Sequence, residues 1–166
     1  MEKKFDIIIY GASGFTGSLG AKYIEKYTDK ISWAIAGRDF NKLQKLQEQL
    51  KSKPEIIVAD GNDEEALIKL TQSTKVVASY AGPFNKYSNL LVKACVKTST
   101  HYVDITGEAI WVRDLIDDYH QECIEKKIKI IPACGYDSIP SDIGTFFTAK
   151  QINEPLKSIY AYHSMA

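Results

Sequence analysis

An excess of charge of either sign is absent from this chain: 21 lysines and arginines stand against 21 aspartates and glutamates, a formal net charge of zero. Nucleic acids and anionic membranes are met by a clustered basic excess, so neither is expected as a partner. Long apolar runs are missing too, and no stretch approaches the ~18 residues of a spanning helix. The N-terminus, Met1-Glu2-Lys3-Lys4-Phe5, enters a strand-like run at once, which leaves no room for a secretory leader. Cysteine is scarce and odd in number, and Cys95, Cys123 and Cys134 form no C-x-x-C pair. That pattern predicts reduced thiols and a cytoplasmic protein rather than a disulfide framework. His120 and Cys123 are spaced to share a helix face, but no second ligand pair accompanies them, so no metal is expected.

What is present is a regular alternation of strand and helix. At 166 residues, 45% hydrophobic and 25% charged, the chain has the size and composition of one globular domain. Phe5 to Tyr10 is a β-branched run stopped by Gly11, as a buried parallel strand should be. The next segment places Phe15, Leu19, Tyr23 and Tyr27 on one helical stripe. Ile31 to Ala36 reads as a second strand, followed by a helix with Phe40, Leu43, Leu46 and Leu50 along one face. Glu55–Ala59, Lys75–Tyr80, His101–Ile105 and Ile128–Pro132 complete six strands. The intervening helices lie near Glu64–Leu70, Ser88–Lys97 (Leu90, Leu91, Ala94 and Cys95 inward) and along Val112, Leu115, Ile116, Tyr119 and Cys123. Short loops between such elements require a parallel sheet with right-handed crossovers. The fold class is therefore α/β, a doubly wound Rossmann sheet of order 3-2-1-4-5-6.

The turn between the first strand and first helix reads Tyr10-Gly11-Ala12-Ser13-Gly14-Phe15-Thr16-Gly17. Gly11 permits the tight turn, Gly14 lets a pyrophosphate approach the backbone, and Gly17 lets the helix pack close to the sheet. The helix start adds free N–H donors and its dipole, and Ser13 and Thr16 can add hydroxyls. Gly11, Ala12, Ser13, Gly14, Phe15 and Thr16 are thus candidate dinucleotide contacts. No Gly-Lys-Ser/Thr closes the motif, which excludes a Walker-type loop. At the end of the second strand Arg38 lies twenty-one positions after Gly17. A guanidinium there can take a 2′-phosphate in a two-pronged hydrogen bond, which favours NADP over NAD. Asp39 beside it can bind a ribose 2′-hydroxyl or cap the next helix. Asp60, closing the third strand, can meet the adenine edge or cap the helix near Glu64.

Three further motifs are Ala81-Gly82-Pro83-Phe84, His101-Tyr102-Val103-Asp104-Ile105-Thr106-Gly107-Glu108, and Gly135-Tyr136-Asp137-Ser138-Ile139-Pro140-Ser141-Asp142. With the glycine loop and Ala36-Gly37-Arg38, they make the sequence resemble the saccharopine dehydrogenase-like oxidoreductases, in the subgroup with trans-acting enoyl reductases. The resemblance covers essentially the whole chain, with Ser88 standing where relatives often have glycine. It implies NADP on the glycine loop, Ala81, Gly82 and Pro83 at the nicotinamide end, and a second α/β domain carrying the substrate pocket.

The residues of those motifs leave roles open. Asp104 and Glu108 can act as acid or base, orient substrate, or cap a loop. Asp137 and Ser138, at a helix start with Pro140 and Asp142 in its first turn, can form an anion site. Cys134 reads as a small filler. No catalytic residue is assigned. The last helix is expected to run to about Gln151, and Lys157–His163 reads as a strand. Residues 1–155 are therefore expected to be the Rossmann domain and 156–166 the start of a substrate domain, with an exposed edge that can support a homodimer.

The expected function is hydride transfer between NADP and a carbonyl, imine or enoyl substrate, small-molecule or lipid-like, with these residues alone inactive. A non-catalytic NADP-binding sensor is the alternative. A short-chain dehydrogenase is excluded, because no tyrosine is followed by lysine four positions later.

Overall fold

Runs of Ile, Val and Ala without alternating polar residues can be buried on both faces, and they build the centre of a parallel sheet. The computed structural model describes residues 3–27 and 29–162. In chain order the elements are β1 (Phe5–Tyr10), α1 (Phe15–Ile24, continued by a 3-10 turn at Glu25–Tyr27), β2 (Trp33–Gly37), α2 (Phe40–Gln49) and β3 (Glu55–Val58). They continue as α3 (Glu64–Gln72), β4 (Thr74–Ser79), the single turn α4 (Phe84–Tyr87), α5 (Asn89–Lys97), β5 (His101–Asp104), α6 (Ala109–Lys126), β6 (Ile130–Ile131) and α7 (Ile139–Gln151). All adjacent strands pair in parallel, in the order β3-β2-β1-β4-β5-β6.

The pleat sorts the core into two layers. Ile8, Val77 and Tyr102 meet Leu67, Leu70, Leu91, Val92, Trp111 and Leu115 on the face covered by α3, α5 and α6. Ile9, Ile35 and Ala78 meet Ala21, Leu43, Leu46 and Leu50 on the face covered by α1 and α2.

Three expectations are corrected. The stripe of Phe15, Leu19, Tyr23 and Tyr27 faces solvent, with Phe15 85% exposed, and α1 instead packs through Gly17 and Ala21. The reason is distance: a Cβ on Gly17 would stand 2.3 Å from the Gly11 carbonyl oxygen, so large side chains have no room at that contact. Phe40 also lies outside its expected face, half-exposed beside the buried Leu43 and Leu46. The expected strand at 157–163 is absent over 157–162, which has no regular structure and is exposed, because no neighbouring strand pairs with it; His163 lies outside the described residues. Strand ends move by a residue or two, and β6 shrinks to Ile130–Ile131. At α7, Ser138 makes no side-chain cap bond, while Pro140 and Asp142 occupy the first turn as expected.

Candidate functional site

The ends of β1, β2, β3 and β4 converge at the carboxyl edge of the sheet, where such folds bind ligands. After Tyr10 the backbone reverses at Gly11 with φ +75°, a left-handed conformation that a side chain would strain. The N–H groups of Gly11 and Ala12 fix the turn by donating to Ala36 O at 2.9 and 3.1 Å. A Cβ on Gly11 would lie 2.9 Å from the Ala81 nitrogen, so this turn touches the loop after β4 backbone to backbone. Gly14 differs: its φ is −75°, it is exposed, and a Cβ there would meet only the Gly11 oxygen, at 3.3 Å. As the N-cap of α1 it carries no capping side chain, which leaves first-turn N–H groups available to an anion.

A cleft of about 240 Å³ opens beside this turn. Of the residues expected from the sequence, Gly11, Ser13, Gly14, Arg38, Asp60, Ala81 and Gly82 line it. Ala12 is fully buried beneath it, Phe15 and Thr16 project outward at the start of α1, and Pro83 is exposed at the start of α4. Tyr10, Gly37, Gly61, Asn62, Tyr80 and Tyr87 also line the cleft and were not anticipated. The signal for most of them was positional, since each of Tyr10, Gly37, Gly61 and Tyr80 stands at or just past the end of a strand that reaches this edge.

The charged groups divide their work. Arg38 is exposed at the rim and has no hydrogen bond or ion pair among the described residues. Asp39 is engaged: Oδ1 accepts from the Lys42 N–H at 3.1 Å, and Oδ2 lies 3.9 Å from Lys42 Nζ. It is the N-cap of α2. Asp60 Oδ1 accepts from the Asn62 N–H at 2.9 Å, whereas α3 is capped by Asp63, which accepts from the Ala66 N–H at 3.0 Å. The capping alternative for Asp60 is thereby corrected, and its carboxylate remains at the cleft. Burial, then the Asp60 charge, pushes the Tyr10 phenol up to about 12, so it stays a neutral donor, aimed at the Ala59 carbonyl at 3.3 Å.

Asp104, at the end of β5, and Glu108 beyond it are engaged mainly by backbone N–H groups. Asp104 is buried; Oδ1 accepts from the N–H groups of Thr106 and Ala133 at 2.9 and 3.0 Å, and Oδ2 from the Tyr102 hydroxyl at 2.8 Å. Burial holds its carboxyl above the usual range. Glu108 accepts from Phe84 and Asn85 N–H. Neither lines the cleft. Asp137 is exposed outside it. Burial, with the nearby Asp104, raises the Cys134 thiol, which is the opposite of what a nucleophile needs. No cluster of three or more metal-ligating side chains occurs among the described residues.

The site's own chemistry fits a dinucleotide: a glycine turn under a helix start, a free guanidinium at the end of β2, and a carboxylate at the end of β3. A family model described as the saccharopine dehydrogenase NADP-binding domain matches residues 7–131. The chain belongs to this family. A Caenorhabditis elegans protein named lipid droplet localized protein is 32% identical over 96% of this chain and 39% of its own length. A Mycobacterium tuberculosis trans-acting enoyl reductase is 36% identical over 87% of this chain and 35% of its own. Among solved structures, apo saccharopine dehydrogenase from Saccharomyces cerevisiae superposes with a TM-score of 0.74 at 22% identity, covering 89% of this chain and 31% of that one, a likeness of fold. This NADP-binding domain therefore spans well under half the length of the curated relatives it matches.

Proposed function

We propose that this chain is the NADP-holding part of an oxidoreductase that transfers hydride to or from a carbonyl, imine or enoyl substrate, in the cytoplasm. The observation that carries the reading is the free Arg38 guanidinium at the end of β2, beside an Asp39 already committed to capping α2. An NAD site needs a carboxylate at this point to take the 2′-hydroxyl, and a 2′-phosphate needs a cation. The Gly11–Gly14 turn and the start of α1 would hold the pyrophosphate, Arg38 the 2′-phosphate, Asp60 the adenine edge, and Ala81 and Gly82 the nicotinamide end. The cofactor, when bound, would give or take the hydride; the chain's residues would orient it.

The enoyl reductases among the relatives favour this reading over a sensor module. A second domain bearing the substrate pocket is part of the proposal. Its support is α7, whose Ile143, Phe146 and Phe147 are all exposed and which buries no side chain, together with the greater length of the relatives. No helix among the described residues is long and apolar enough to cross a membrane.

Titration calorimetry with both dinucleotides tests the cofactor assignment. Arg38→Ala should weaken NADP by about 1.5–3 kcal/mol, the worth of a charge-assisted hydrogen bond, and leave NAD nearly unchanged. Equal weakening of both would mean that Arg38 stacks on adenine and does not read the phosphate.

A further inference from the structure

One wall of the cleft is built from the segment after β4, which is anchored at its start, where the Tyr80 N–H donates to Tyr10 O at 2.9 Å and Ala81 touches Gly11. Tyr80, Ala81, Gly82 and Tyr87 face the cleft, and between them the chain turns through Pro83 into the single turn α4. From Pro83 on, its backbone–backbone hydrogen bonds are local: Tyr87 N–H donates to Pro83 O at 3.1 Å and Ser88 N–H to Phe84 O at 2.8 Å. The first N–H groups of a helical turn have no partner inside it, and Pro83 makes no side-chain cap bond.

The partner comes from twenty-odd residues further along the chain. Glu108 Oε1 accepts from the Phe84 N–H at 2.7 Å, and Oε2 from the Asn85 N–H at 2.9 Å. Both carboxylate oxygens are thus engaged by consecutive backbone donors, a charge-assisted pair that fixes orientation as well as distance. Glu108 is itself held, since its N–H donates to Thr106 Oγ1 at 3.1 Å and the Thr106 N–H donates to the buried Asp104 at 2.9 Å. The Phe84 ring rests on Trp111, with centroids 6.0 Å apart, and Trp111 Nε1 donates to Asn89 Oδ1 at 2.7 Å. The segment after β4 is therefore pinned to the loop leaving β5 by the Glu108 carboxylate and to α6 by the Phe84–Trp111 ring contact.

We propose that Glu108 is a positioning residue for the cofactor: its carboxylate holds the Gly82–Tyr87 segment in the place where Gly82 and Tyr87 form the cleft wall. The proposal rests on the NADP-binding reading. Glu108 touches no ligand. It acts through the fraction of molecules whose wall is already in place, because apparent affinity falls in proportion to the competent fraction.

NADPH titration and site-resolved hydrogen exchange of the unaltered chain, Glu108→Ala and Glu108→Gln test it together. Glu108→Ala should bind NADPH about tenfold more weakly, as expected if the competent fraction falls to about a tenth. Glu108→Gln keeps one acceptor and should fall between, which preserves the test if the alanine variant does not fold. In the absence of cofactor, the Phe84 and Asn85 amides should both lose protection in Glu108→Ala and at least one of them in Glu108→Gln, while β1 and β4 keep theirs, and saturating NADPH should restore it. A folded variant with unaltered affinity overturns the proposal, and so does weakened binding with Phe84 and Asn85 still fully protected. Failure of the unaltered chain to bind NADPH would instead overturn the cofactor reading beneath it.

Discussion

Two glycines three positions apart do different work. Gly17 is a packing residue, since a methyl there would sit 2.3 Å from Gly11 O and 2.9 Å from Ala12 Cα. Gly14 has an ordinary φ of −75° and only one neighbour near its missing side chain, at 3.3 Å. Gly14→Val should therefore fold and lose dinucleotide binding, because its side chain would occupy the space a pyrophosphate needs. Gly17→Ala should cost about 1–3 kcal/mol in denaturant unfolding, as overpacking does. A folded Gly14→Val that binds normally would remove the glycine turn from the site. At the same scale, the sequence pointed to Asp39, Asp60 and Glu108 at this edge but not to their tasks, and it did not single out Asp63. Asp39 and Asp63 cap helices, Asp60 stays at the cleft, and Glu108 reaches across to α4. Carboxylates of like chemistry received different work from which backbone N–H lay within reach.

Helices differ as sharply as residues do. α5 buries Leu91, Val92, Ala94, Cys95 and Val96, whereas α7, at 13 residues, buries none. A helix of that length is marginal in water without a packed face. The backbone amides of α7 should consequently exchange far faster than those of β1 and β4, read by native-state hydrogen exchange. Slow exchange throughout α7 would show that its exposed Phe146 and Phe147 already have a partner, such as a second copy of this chain. For α1, periodicity revealed a stripe of large residues but not its direction. An i, i+4 row reads alike whether it meets the sheet or solvent, and here the opposite row of small residues had the closer approach.

At the level of the molecule, the doubly wound sheet places the candidate dinucleotide cleft at its carboxyl edge, while a larger, mostly apolar cleft of about 550 Å³ runs between α6 and β6, lined by Leu115, Tyr119, Ile128 and Ile130 among others. The larger one has Lys127 and Lys129 among its lining residues but no glycine turn, so the proposed cofactor site is the smaller. NADP should stabilise residues 1–166 by about 2.7 kcal/mol at a hundredfold excess over the dissociation constant. NADPH oxidation followed by absorbance should remain at background with carbonyl and enoyl substrates, because the groups that orient substrate, worth about 7–11 kcal/mol of barrier, belong to the proposed second domain. Robust turnover would place a complete active site within these residues. The sequence by itself determined the strand order, the glycine turn and the cation at the end of β2, because each depends on local periodicity, on a backbone angle or on one residue type at a fixed spacing. The tertiary structure alone decided which face of α1 packs, that Asp60 and not Asp63 meets the cleft, and that Glu108 holds α4. Those outcomes depend on distances between segments remote in sequence, which no local pattern encodes.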